Sequence, residues 1–132
     1  MRYDKYMERL TGKISEIDIL WKELCLIVLK DEDCCSTKED FAGILIFGLW
    51  ADKLEESMRD LEDFNKVDAK KAGEAILDIV VSAAYAITQI KIEPVKLFSD
   101  EEKCEWIILF ADEIRESLFE IMVDSQNLVL ES

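Results

Sequence analysis

The sequence predicts an all-α protein: a bundle of four main antiparallel helices in one domain, residues 1–132, with a short C-terminal tail helix as an optional fifth element. Half of the 132 residues are hydrophobic, while only 4 glycines and 1 proline interrupt them, which favours a few long helices over many short strands. Near the amino terminus, apolar residues alternate at spacings of four and three, as one face of a long helix requires. This stripe consists of Tyr3, Met7, Leu10, Ile14, Ile17, Trp21, Leu24 and Val28.

Polar segments mark the ends of the first two helices. We expect the first helix over residues 2–30, because the polar run at 31–36 ends its apolar stripe. The second helix is expected to begin at Ser36 or Thr37, since each is followed three residues later by an acid that completes a capping box. It should extend to about residue 64, and the short turn after it predicts antiparallel packing on the third helix.

The third and fourth helices have recognisable ends. We expect the third over residues 69–92, closed by Pro94. Ser99 caps the fourth, with acids in its first turn that suit the positive end of the helix dipole. The apolar pattern predicts an end near Asp124, after which residues 127–132 form a tail that docks on the bundle or on a partner.

One segment of the second helix predicts self-association. Residues 41–51 are apolar on every side, so they must be surrounded by their own bundle or by another subunit. Together with the long stripe of the first helix, this is more apolar surface than a monomer of this length has to bury. We therefore expect a homodimer or a larger homo-oligomer held by helix–helix contacts.

The charge of the chain limits its partners. Thirty acids against 16 bases give a net charge of −14, which repels nucleic acid and anionic membrane surfaces. We accordingly expect neither as a partner. Acidity of this kind commonly serves solubility, and it also suits a basic protein partner or a divalent cation.

The side chains present also restrict the catalytic and metal-binding chemistry that this chain can perform. There is no histidine, so a Ser-His-Asp triad, a Cys-His pair and imidazole ligation of zinc are all absent from this chain. Cys25 and Cys104 lie in apolar helical segments, so we expect both in the core. Cys34 and Cys35 are adjacent in a polar segment, and we expect them to lie in a loop without a functional role. Reduced thiols, no visible signal peptide and no apolar run long enough to span a bilayer predict a cytoplasmic protein.

One group of carboxylates could carry chemistry. If the second and third helices pair around a turn near residue 66, then positions equidistant from that turn lie at the same height. Acids of the two helices could then meet and hold Mg²⁺, a cation that prefers oxygen ligands. The candidate metal ligands are Asp52, Glu55, Glu56, Glu74 and Asp78.

These positions resemble the MazG-like all-α nucleoside triphosphate pyrophosphatases. That family carries an E-x-x-E element on one helix and an E-x-x-D element on the next, and residues 54–57 and 74–78 are similar in order and separation. Here the first element would pair Asp52 with Glu55, and the second is spaced by four residues instead of three. The resemblance covers residues 50–90 and implies a magnesium-dependent enzyme acting on nucleotides.

Two functions are therefore carried forward. The first is a non-enzymatic interaction or scaffold module that self-associates, with the acids forming an ordinary solvent-exposed face and no cofactor bound. The second is the magnesium-dependent pyrophosphatase. In both cases we expect Trp21, Trp50 and Trp106 to lie in the core, because each sits on or beside an apolar face.

Overall fold

The computed structural model describes residues 3–30, 38–62, 68–88 and 101–131 and confirms the all-α prediction. Among these residues there is no strand. The helices within the described ranges are α1 (Tyr3–Lys30), α2 (Lys38–Glu62), α3 (Ala69–Thr88) and α4 (Glu101–Leu130). Predictions that lie outside the described residues or side chains concern Val28, Cys34, Cys35, the caps at Ser36, Thr37 and Ser99, residues 41–45 and 89–92, Pro94, and Cys104.

Polar contacts define how α1 packs on α4. The guanidinium of Arg9 lies 2.7 Å from the carboxylate of Asp124, and one turn further along α1 the ammonium of Lys13 pairs with Glu120. Residue numbers therefore rise along α1 as they fall along α4, so the two helices are antiparallel.

The remaining pairs show the same orientation. On α1 and α2, the hydroxyl of Tyr3 donates to the carbonyl of Leu61 over 3.5 Å, while the ring of Trp21 lies 5.5 Å from that of Phe47 near the opposite end. On α3 and α4, Arg115 donates to the carbonyl oxygen of Ile87, while Gly73 near the start of α3 lies beside Ser125 near the end of α4. Since α2 also packs on α3, the chain runs up, down, up and down around one core.

The predicted apolar stripe of α1 is the face that enters this core. Leu10, Ile14, Ile17 and Leu24 are buried, whereas Tyr3, Met7 and Trp21 are partly buried and pack against them. The other helices contribute their own apolar faces, and each fully buried Leu, Ile or Phe stabilises the fold by about 1.5–3 kcal/mol. The largest side chains enclosed from these helices are Phe47, Leu54, Ile76, Ile87, Ile114, Leu118 and Ile121.

Two sequence predictions are wrong. The fourth helix does not end near Asp124 with a separate tail helix after it; α4 continues to Leu130. Ser125 and Leu128 are buried against the bundle, and this packing keeps the last turns helical. Trp106 is exposed rather than in the core, and its ring lies 5.7 Å from that of Phe110.

A glycine allows α3 and α4 to approach closely. At Gly73, an added Cβ would lie 2.7 Å from a methyl group of Val129 and 3.0 Å from the backbone oxygen of Ser125. A backbone oxygen cannot turn aside as a side chain can. The contact therefore sets both the distance between the two helices and their register.

Two glycine substitutions should shift stability in opposite directions. Gly12 is exposed in the middle of α1, where an added Cβ meets nothing within 4 Å, so Gly12→Ala should raise the free energy of unfolding by about 0.5–1 kcal/mol. Gly73→Ala should lower it by about 1–3 kcal/mol through overpacking. Urea unfolding followed by circular dichroism measures both, and a stabilised Gly73→Ala protein would contradict the close approach.

A buried hydrogen bond also ties α1 to α4. The hydroxyls of Tyr6 and Ser125 lie 2.7 Å apart, and both residues are almost wholly enclosed. A buried hydroxyl without a partner is costly, so the bond resists sliding of one helix along the other. Burial raises the pKa of Tyr6 to about 12, because the charged phenolate is disfavoured in the core.

Tyr6→Phe should lower the free energy of unfolding by about 1 kcal/mol at neutral pH. The phenol of Tyr6 ionises near pH 10 in the unfolded chain and only near 12 in the folded one, so it stabilises the fold fully below about pH 10. Two pKa units correspond to about 2.7 kcal/mol, so as the pH rises from 10 to 12 the stability advantage over the variant should disappear and then reverse. Urea unfolding across this pH range checks it, with Ser125→Ala and the double variant as a mutant cycle.

Candidate functional site

The outer side of α2 carries most of the predicted metal ligands. Phe47, Leu54 and Met58 face the core, so the helical period turns Asp52 and Glu56 toward solvent. Both of these acids are exposed, while Glu55 is partly covered. The acids therefore follow from the amphipathic pattern of the helix.

A surface groove of about 390 Å³ brings three of the five predicted ligands together. We call it the acidic groove; it is lined by Asp52, Glu55, Glu56, Arg59 and Asp60. The guanidinium of Arg59 lies 2.6 Å from the carboxylate of Glu55. Four carboxylates and one guanidinium leave an excess of three negative charges, so the groove attracts cations.

Glu74 and Asp78 belong to α3 and are exposed. They share one face with Val81 and Tyr85, as their spacing of four, three and four residues requires. Neither lines the acidic groove. The acidic groove thus groups Asp52, Glu55 and Glu56, and its lining does not include the two acids of α3.

The charge of Glu55 also acts on a lysine of α1. The pKa of Lys22 on α1 is raised mainly by Asp18, whose carboxylate lies 2.8 Å away, and Glu55 adds to this effect. Within the described ranges, no group of three or more Asp, Glu or Cys side chains is placed to hold a metal ion. The magnesium site joining α2 and α3 stays a prediction, and calorimetric titration with magnesium chloride tests it.

A second groove, of about 400 Å³, adjoins the first. We call it the apolar groove; it is lined by Ile46, Leu49, Trp50, Asp52, Lys53 and Glu56. Leu49 is 68% exposed, and the ammonium of Lys53 lies 5.3 Å from the centre of the Trp50 ring. Because Asp52 and Glu56 line both grooves, the apolar and acidic surfaces are continuous.

The sequence predicts this uncovered surface in part. Because residues 41–51 are apolar on every side, they are expected to be surrounded by their own bundle or by another subunit. In the structure Phe47 is buried, whereas Ile46 and Leu49 point outward. The all-round apolar composition was the available signal, and it indicated a surface that the monomer leaves uncovered.

Large apolar side chains are exposed on both α3 and α4. Gly73 lies beside Ser125 and Val129, and Ile87 is bonded to Arg115, so Val81 falls at nearly the same height as Phe119. Val81 is 53% exposed and Phe119 is 59% exposed. We call this surface the α3–α4 patch; it consists of Val81, Tyr85 and Phe119.

The described cysteine is poorly suited to nucleophilic chemistry. Cys25 is a free thiol, half-buried beside the core. Burial raises its pKa to about 11, so the thiolate is scarce at neutral pH. This agrees with the sequence interpretation of Cys25 as a small packing residue.

Comparison with known proteins adds no functional assignment. No protein-family model, curated protein or solved structure matches the chain. Among the described helices, none is long and apolar enough to cross a bilayer.

Proposed function

We propose that this chain is a non-enzymatic interaction module that self-associates through the α3–α4 patch. The observation that supports the proposal is the exposure of Val81, Tyr85 and Phe119 across two neighbouring helices. Covering a large apolar side chain contributes about 1.5–3 kcal/mol, so a second copy gains stability by hiding these groups. A patch that meets its own copy across a two-fold axis satisfies both subunits at once.

The α3 half of this patch has a more balanced charge than the outer side of α2. The sequence of α3 contains two lysines and two acids and has no net charge, whereas α2 contains three bases and seven acids. Two copies of a chain with a net charge of −14 repel each other least where the local charge is balanced. The sequence of α4 contains two bases and eight acids, so repulsion between two copies is concentrated on the Phe119 half of the patch.

Enzymatic activity would contradict the proposal. The competing function is the magnesium-dependent pyrophosphatase, whose predicted ligands include the three acids grouped on α2. Pyrophosphate release from a panel of nucleoside triphosphates with magnesium, lost in Asp78→Asn, would support the enzyme instead. We expect no release above the rate measured without protein.

Self-association should disappear when charge is placed in the α3–α4 patch. Light scattering during size-exclusion chromatography should give at least twice the 15.3 kDa chain mass at micromolar concentration. Phe119→Glu should return the mass to that of one chain, because it adds charge where two copies meet. Added salt should strengthen association of the unmodified protein by screening its net charge.

Ile19→Glu is the matched control, since Ile19 is 60% exposed but lies on α1. It should leave the mass unchanged. A single-chain mass for the unmodified protein would refute self-association, and loss of association in Ile19→Glu alone would place the interface on another face.

A further inference from the structure

We propose that the apolar groove of α2 binds an amphipathic, basic helix from a different protein. The proposal extends the interaction module to a second kind of partner, on a helix face separate from the α3–α4 patch. The groove has the features of a helix-binding surface, with Leu49 and Ile46 exposed beside the half-buried ring of Trp50. Burial of such side chains supplies affinity, and Trp is a frequent energetic centre of interfaces.

Charge complementarity identifies the partner as basic. The apolar residues of the groove are followed by Asp52 and Glu56, which also line the acidic groove. Asp60 continues the acidic surface along the helix. A partner that covers Leu49 with apolar side chains therefore has carboxylates beside it over the next two turns. Lysines or arginines on the partner would neutralise them and steer its approach.

The length of the two grooves along α2 sets the length of the bound helix. From Ile46 to Asp60, α2 rises roughly 21 Å at about 1.5 Å per residue, so a helix of about fourteen residues would cover both grooves. Its apolar residues should lie toward the amino-terminal part of α2, and its basic residues toward the carboxyl-terminal part. The Trp50 ring already has the ammonium of Lys53 5.3 Å from its centre, and a partner cation could take the same place.

A second copy of this chain fits the surface poorly. Two α2 helices would bring seven acids on each side face to face, with three bases on each to offset them. Like charges across an interface oppose binding, and the same argument disfavours nucleic acids and anionic lipid. The surface therefore selects a basic protein segment.

Binding of a synthetic helix tests the proposal. The probe is a fluorescein-labelled helical peptide of about fourteen residues, with leucines on one face of one half and lysines in the other half, and its anisotropy is followed as the full-length protein is added. Leu49→Ser should weaken binding about tenfold, because it removes an exposed apolar contact without touching the core. Asp52→Lys with Glu56→Lys should also weaken it about tenfold, and added salt should reduce affinity.

The control changes the same net charge at another place. Glu113 and Glu116 are exposed on α4, and replacing both with Lys should alter affinity less than threefold. Equal weakening by the two double variants would show that overall acidity attracts the peptide and would overturn the proposal. Undiminished binding in Leu49→Ser, or no binding at all, would overturn it as well.

The variant Phe119→Glu distinguishes self-association from peptide binding. That variant should lose the higher mass and still bind the peptide with unchanged affinity. The effects of salt are opposite, because screening strengthens contact between acidic copies and weakens contact between an acidic groove and a basic helix. Loss of peptide binding in Phe119→Glu would place the peptide on the α3–α4 patch and refute the assignment to α2.

Discussion

The contact between α1 and α4 is the constraint on which the rest of the bundle depends. Tyr6 and Ser125 can satisfy each other only in one register, because both hydroxyls are enclosed and have no water to replace a lost partner. The ion pair between Arg9 and Asp124 reinforces that register at the edge of the core. Apolar stripes alone would tolerate sliding by a turn, whereas directional polar contacts do not.

The register between the helices in turn determines which side chains of each helix are exposed to solvent. Gly73 lets α3 settle against the last turns of α4, and this contact rotates the apolar face of α3 inward. Val81 and Tyr85 are then left on the far side, at the height of Phe119. On α2, the packing of Trp21 against Phe47 has a similar result, because it draws one apolar side chain inward and leaves Leu49 outside.

Periodicity made the helices predictable, but not the way in which they are rotated against one another. The stripe of α1 and the all-α class follow from spacing alone, and Asp52, Glu55 and Glu56 meet because one helix carries all three. Equal distance from a turn predicts that Glu74 and Asp78 lie level with them, yet it contains no information on which way α3 faces. That rotation depends on Gly73 and on residues of α4 some fifty positions away in the sequence. The end of α4 was mistaken for the same reason, since Ser125 and Leu128 are kept helical by neighbours.

The seam between the first and last helices has a consequence for biosynthesis. Tyr6 and Ser125 are 119 positions apart, so their bond closes a loop that contains nearly the entire chain. Long-range closure of this kind is entropically unfavourable and slows folding. While the ribosome is still adding α4, the apolar faces of α1 and α3 have no cover along this side.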